Sequence, residues 1–486
     1  MIERVKSFLF TNNSIRQTLV KNTFWLSVSE VGSRLLKFAL ILYAARILGV
    51  SDWGVFSYAL GMASLFLVIS DLGLNNLITR EMAKKSEARF QYLSTAFFIR
   101  IALLIIAIVI ILAIVPQISD ITTVGILFIV ALGAAIDSVR DFLVSLHRAM
   151  ERMEKETFIK ISASLLTSIL GIMVLLRAPS IINLAYAYLA GSIIGLLIAL
   201  YTLRREISDL TTHLSVDLVL PILKITWPLF IFGIIGVIMT YTDIAMIGWW
   251  KNSLDVGLYS VAQRLIQFLL VIPNLIAIAM FPVFSKLLTE NPAELRPTLE
   301  KTLAWMFLLG LPLFAGGIVL GKEIIVVIFG AAYAPGGPVF QILLLTILLM
   351  FPMLIINNYI FVLNQHKKFV SLMVGGALFN ILLNFILVKK FGILGAATGT
   401  TLSNLVLGIL MWQKARKISY FEILSHIKKI ILATLVMGGF SFVFKTADLH
   451  VILNILFSGA VFFYVLVLLK EPLLRDTRPA FLKNRE

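Results

Sequence analysis

The chain has 486 residues, 59% of them hydrophobic and only 14% charged, with a mean hydropathy of +0.98. A soluble chain of this length is nearer half apolar and a quarter charged, so water alone cannot be its solvent. The absence of cysteine excludes disulfides, thiolate metal sites and a cysteine nucleophile, and the distribution of the formal net charge of +16 argues against nucleic-acid binding.

Within lipid no water satisfies backbone amides, so crossing segments must be helices or a closed barrel. The apolar runs are about 20 residues long and nearly continuous, as in Ile101–Val115 and Val451–Leu469, and do not alternate as barrel strands do. The expected fold is therefore all-α and integral to the membrane. Hydropathy predicts fourteen spans, at 22–45, 53–75, 92–115, 121–146, 157–177, 181–203, 225–249, 255–281, 299–319, 337–363, 369–388, 392–413, 427–444 and 450–469. The stretch 321–330 is too short to cross and reads as interfacial. Residues 1–21 form a predicted cytoplasmic arm, in which Ile2, Val5, Phe8 and Leu9 suit a short surface helix. The first apolar run is interrupted by Glu30, Arg34 and Lys37, unlike the clean core of a cleaved signal peptide.

Orientation follows from lysine and arginine. Of the 42 basic residues, 26 fall in the N-terminal arm, alternate connections and the C-terminal tail, 6 in the other connections and 10 within the bounds of the spans. An added or missed helix would scramble this alternation, and it holds to the end. Both termini are thus expected in the cytoplasm, with the basic excess facing anionic lipid. No connection is long enough to hold a soluble domain.

Asp52-Trp53-Gly54-Val55-Phe56-Ser57-Tyr58-Ala59 and Asp255-Val256-Gly257-Leu258-Tyr259-Ser260-Val261-Ala262 both read Asp-x-Gly-x-aromatic-Ser-x-Ala, offset by 203 residues. Each lies between the first two spans of a six-span block. Six is even, so the copies enter the membrane in the same direction, as in a parallel repeat. The predicted organisation is an N-terminal six-helix bundle at 22–203, a cytoplasmic linker at 204–224 and a second six-helix bundle at 225–413. An accessory helix pair and cytoplasmic tail occupy 414–486. Paired bundles of this kind enclose a central cavity more often in transporters than in structural proteins.

An ionisable group near the bilayer centre costs roughly 2.5–3.5 kcal/mol on insertion scales, so each needs a partner or a wet cavity. The candidates are Glu30, Arg34, Lys37, Asp71, Arg100, Asp137, Arg140, Asp141, Asp243 and Arg264. Depth along the spans puts Arg34, Lys37, Arg100 and Arg264 from the midplane outward, where Asp243 is the one acid. These four are the predicted substrate-binding residues, for an anion such as phosphate or pyrophosphate. Glu30, Asp71, Asp137, Arg140, Asp141 and Asp243 are candidates for charge coupling or gating. Glu30–Arg34 and Asp137–Arg140–Asp141 also have the spacing of pairs neutralised within one helix, and both readings stand. Arg100 and Arg264 are expected to lack a nearby acid. Outward movement of negative charge is favoured by the membrane potential, by roughly 2.3 kcal/mol per charge per 100 mV.

Other chemistry is poorly supported. His147, His213, His366, His426 and His450 lie in connections or at their edges without metal-ligand spacing, and read as solvated. There is no Walker loop. Neither a metal nor another cofactor is expected. Pro228, Pro273 and Pro352 are expected to bend second-half spans, as packing irregularities or as hinges.

The stretch Ala45-Arg46-Ile47-Leu48-Gly49-Val50-Ser51-Asp52-Trp53-Gly54-Val55-Phe56, with Asp71-Leu72-Gly73-Leu74, resembles the start of the polysaccharide transporter (oligosaccharide flippase) family. Arg148-Ala149-Met150-Glu151-Arg152-Met153, Asp243 before Gly257-Leu258-Tyr259-Ser260, Asn380-Ile381-Leu382-Leu383-Asn384 and Phe391-Gly392-Ile393-Leu394-Gly395-Ala396-Ala397-Thr398-Gly399-Thr400 continue the resemblance in order. The resemblance spans essentially the whole chain. It implies a member of the multidrug/oligosaccharidyl-lipid/polysaccharide exporter superfamily, moving polyprenyl-pyrophosphate-linked oligosaccharide from inner to outer leaflet by alternating access. It further implies surface polysaccharide or glycan biosynthesis at the cell membrane, with glycosyltransferases or a glycan polymerase as partners. A lipid II-type flippase and a drug or metabolite antiporter of the same superfamily are the alternatives. The basic midplane speaks against the antiporter, and the short outer connections speak against an enzyme.

Overall fold

The computed structural model describes residues 15–84, 89–117, 121–206 and 208–475. The predicted surface helix at Ile2–Leu9 and most of the C-terminal tail lie outside them. Every long element is helical. α1 is Ile15–Leu67, α2 Leu74–Ala83, α3 Arg89–Ile114, α4 Ile121–Ala149, α5 Met153–Arg177 and α6 Ile181–Thr202. α7 is Val219–Trp250, α8 Ser253–Leu269, α9 Val271–Glu290, α10 Leu295–Phe329, α11 Gly337–Leu344 and α12 Ile347–Val362. α13 is Val370–Ile418, α14 Leu424–Thr446 and α15 Val451–Leu468. Among the described residues, 11 helices are long and apolar enough to cross a membrane, or 12 if the pair Ala331–Leu344 and Ile347–Val362, bent by 46°, is one span.

Two of these helices are too long for one crossing, and each contains a single non-helical glycine. α1 turns at Gly49 (φ 78°, ψ 176°) and α13 at Gly392 (φ 58°, ψ −134°), conformations that a Cβ would strain. Asn380 and Asn384, before the Gly392 turn, are fully buried against Thr400 and Ser403 after it. The Asn380 Nδ2 donates to Ser403 Oγ at 3.3 Å and to Thr400 Oγ1 at 3.4 Å, and Asn384 Nδ2 donates to Asn380 Oδ1 at 3.2 Å. The amides thus clamp the two limbs of α13. Gly399 stands beside this clamp, where an added Cβ would come within 2.8 Å of Asn384 Oδ1.

The chain divides into two compact units, Met1–Gly257 and Leu258–Glu486. In the first, α1 packs on α4, α5 and α7, and an apolar cluster gathers Leu74, Ile78, Leu93, Phe142, Ile159 and Ile222. Thr95 Oγ1 and the Ser215 backbone exchange hydrogen bonds of 3.1 and 3.2 Å, tying the linker after α6 to α3. In the second unit α10 is the central helix, touching α12 on one side and α14 and α15 on the other. Ala304, Leu308, Ile430, Ala433, Met437 and Phe462 form the apolar seam to that terminal pair. Lys445 closes its far end, pairing with Glu323 at 3.0 Å and donating to the Val319 carbonyl at 2.7 Å.

The stretch 321–330, expected to be interfacial, is mostly a direct continuation of α10, which stops only at Gly330 (φ 105°). Ile325 and Phe329 in these last turns are fully buried, so packing carries the helix on to that glycine. Pro352 lies inside α12, whereas Pro273 sits at the start of α9, after a break at Leu270 that divides the predicted span 255–281 into α8 and α9.

Candidate substrate-binding site

Most candidate charges fall in the first unit and form three groups. On α1, Arg34 is ion-paired with Glu30 one turn earlier, and both side chains are more than a third exposed. Lys37, one turn further, is exposed. This face therefore offers two bases against one acid.

The second group corrects the expectation that Arg100 lacks an acid. The buried Arg100 donates from Nη1 to Asp71 Oδ1 at 2.9 Å and to Asn75 Oδ1 at 3.1 Å, and from Nη2 to Ser138 Oγ at 2.8 Å. Its guanidinium also lies 5.6 Å from the centre of the Phe142 ring. Asp71 lies just after α1, where Leu72 (φ 42°) and Gly73 (φ 74°) turn the backbone into α2. Neither residue is near Arg100 in sequence, so the pairing exists only because α3 and α4 pack beside that turn. The Asp71 carboxylate keeps 44% exposure and offers its other face outward.

The third group is on α4. Arg140 is paired with both Asp137 and Asp141, the latter at 2.9 Å, and the Tyr188 hydroxyl of α6 donates to Asp137 Oδ2 at 3.0 Å. Arg140 is buried whereas Asp141 is 45% exposed, so the acids shield the base. Lys160 and Lys37 add their fields at Asp141. Both of the short-range pairings anticipated from sequence spacing are present.

Asp243 is fully buried in α7. Arg264 belongs to the second unit, where its Nη1 donates to Gln267 Oε1 at 3.2 Å and its buried Nε has no hydrogen-bond partner among the described residues. That orphan donor marks Arg264 as a base whose hydrogen-bonding capacity the protein leaves partly unused.

Sequence reasoning passed over a further set around the turn between α4 and α5. Glu156 is fully buried between Arg148 and Lys160, the lysine at 2.8 Å. Lys21, almost fully buried, pairs with Glu154 at 3.1 Å and donates to the Glu151 carbonyl at 3.3 Å. The Glu156–Lys160 spacing was a legible signal, whereas the contacts reaching back from Arg148 and across from Lys21 depend on the turn at Glu151 (φ 55°). His147, expected to be solvated, is instead fully buried with Nε2 3.0 Å from Thr202 Oγ1, because α4 runs one turn beyond its predicted end against α6. Among the described residues no group of three or more His, Asp or Glu could hold a metal ion.

The chain belongs to the polysaccharide biosynthesis protein family, whose model matches residues 19–288. It is 24% identical, over 94% of its length and 97% of the relative's, to a protein of Haloferax volcanii described as the probable low-salt glycan biosynthesis flippase Agl15. A second protein of that organism, the probable flippase AglR, is 21% identical over 76% of this chain and 77% of its own. The fold is similar to that of the lipid II flippase MurJ in an inward closed conformation (TM-score 0.75, 18% identity, 92% of this chain and 99% of that one). It is also similar to an inward-facing multidrug resistance MATE family transporter (TM-score 0.63, 13% identity, 80% and 97%).

Proposed function

We propose that this protein is a flippase that carries a polyprenyl-pyrophosphate-linked oligosaccharide from the inner to the outer leaflet by alternating access, for surface glycan synthesis. The observation that carries this reading is the end-to-end similarity to a probable glycan biosynthesis flippase. The charge arrangement supports an anionic headgroup. Arg34 and Lys37 stand on an exposed face with one acid between them, and Arg264 retains an unused donor. These three are the proposed headgroup contacts. Arg100 is assigned to holding the break between the second span and α2, and Asp71, Asp137, Arg140, Asp141 and Asp243, with Glu30, to the charge balance that changes as the headgroup enters.

The proposed topology has fourteen crossings. Gly49 and Gly392 each divide a double-length helix into two spans, and the bent pair α11–α12 forms one. The internal repeat supports a six-plus-six-plus-two organisation, and the alternation of basic connections supports both termini in the cytoplasm of a cell-membrane protein. Enzymes that build the glycan are the proposed partners. The decisive test removes the gene and restores it with natural, Arg34→Gln, Lys37→Gln and Arg264→Gln forms. Loss of lipid-linked glycan from the outer leaflet, with accumulation on the inner one, is the expected result for the deletion. An unchanged leaflet distribution would sink the flippase reading. Supplying lipid II and an oligosaccharide-pyrophosphate-lipid to reconstituted vesicles separates the two headgroup classes.

A further inference from the structure

The internal repeat has a structural counterpart that none of the charged groups uses. In α1 the chain breaks at Gly49, and Gly54 lies just inside the restarted helix. In the second copy, Gly257 lies in the second turn of α8. A Cβ added to Gly54 would stand 1.7 Å from the Ser253 carbonyl oxygen, and one on Gly257 would stand 2.0 Å from the Val50 carbonyl oxygen. Val50 and Ser253 are separated by the same 203 residues as Gly54 and Gly257. Each copy's glycine therefore lies on the equivalent carbonyl of the other copy, as at a self-complementary two-fold contact. All four residues fall within the unit Met1–Gly257.

The obstacles to any side chain here are backbone atoms, which cannot rotate aside. Glycine is thus required for the contact, which supplies a physical reason for its recurrence in both copies of the motif. Ser51 Oγ and Ser253 Oγ add a hydrogen bond of 2.7 Å. Close approach continues inward along α7, where a Cβ on Gly248 would stand 2.3 Å from the Tyr58 ring and one on Gly61 would stand 3.0 Å from Ile244 Cγ2. The seam is built from approaches of carbonyl to Cα and one hydroxyl bond, interactions that are individually weak and reversible.

We propose that this reciprocal glycine contact is the outer closure of the translocation path, sealed in the conformation described here and parted when the path opens outward. The proposal rests on the flippase reading and on the orientation given above. It assigns the shared motif a role in gating.

The chain lacks cysteine, so Ser51→Cys with Ser253→Cys introduces a pair without background. Oxidation of the full-length protein in membranes is expected to form an intramolecular disulfide. Delivery of glycan-lipid to the outer leaflet should then fall at least tenfold and return on reduction. Failure of the pair to cross-link, or undiminished delivery by the cross-linked protein, would overturn the proposal. A second arm needs no substrate. Gly54→Ala or Gly257→Ala should raise the reactivity of a single cysteine at Ser51 toward membrane-impermeant maleimide several-fold. Gly125→Ala, where an added Cβ meets nothing within 4 Å, should leave it unchanged. Equal reactivity in folded Gly54→Ala and Gly125→Ala proteins would also overturn the closure. If the protein is not a flippase, the accessibility differences persist while the uncross-linked protein delivers no glycan-lipid.

Discussion

Arg100 and Arg34 show why a charge within a span has to be judged by its partners. Both are mid-span arginines in sequence, yet Arg100 is buried with three hydrogen-bonded neighbours and Arg34 stands exposed beside one acid. Removing one member of a buried ion pair strands the other, whereas removing both leaves no uncompensated charge. Arg100→Gln is therefore expected to destabilise by about 1–3 kcal/mol, less than a fully buried pair because Asp71 is partly exposed. Adding Asp71→Asn should recover part of that loss. Thermal unfolding in detergent of the two single variants and the double variant measures the coupling. Arg34→Gln and Lys37→Gln, by contrast, should leave unfolding nearly unchanged and reduce flipping roughly tenfold, since a charge-assisted hydrogen bond contributes about 1.5–3 kcal/mol. Equal unfolding losses at Arg34 and Arg100 would contradict this division.

Elements in this chain end where a residue demands it. Gly49 has a conformation open almost only to glycine, and an added Cβ there meets nothing within 4 Å, so the cost of Gly49→Ala is conformational alone. A loss of about 1–3 kcal/mol in unfolding free energy is expected, with the helical content of the circular dichroism spectrum unchanged. α2, after the Leu72-Gly73 turn, is held by Glu81. Burial raises the Glu81 carboxyl pKa, but hydrogen bonds and charge from Lys84 and Arg80 outweigh this and hold it below the ordinary value of 4.5. A depressed carboxyl stabilises the folded element above its unfolded pKa and loses that contribution as pH falls through the folded value. Amide exchange in α2, corrected for its intrinsic pH dependence, should therefore show less protection below pH 4.5, and Glu81→Gln should remove that pH dependence. The helices were legible from hydropathy because lipid leaves the backbone no other partner. The break at Leu270 was not, because the apolar run continues through it, and at 321–330 only the end at Gly330 was legible, not the continuity with the span before it.

For the whole molecule, the alternation of basic connections makes a claim that reporters can test. Fusions after residues 210 and 420 should be active in the cytoplasm, and fusions after residues 118 and 252 should be active outside. If Gly49 does not divide two crossings all four assignments reverse, and if Gly392 does not, only the one after residue 420 reverses. By itself the sequence determined that the chain is helical and lies in lipid, where its internal repeat falls and which charges stand within spans. Composition, period and loop charge are properties of the chain read locally, and the bilayer enforces them. It also marked the pairs Glu30–Arg34 and Asp137–Arg140–Asp141, which one helix turn brings together. Only the tertiary structure decided that Arg100 meets Asp71, that Glu156 and His147 are buried, and that Gly54 and Gly257 each rest on the other copy's carbonyl. The Arg100, His147 and glycine contacts join residues 29 to 207 positions apart, and such distances close only when separate helices pack.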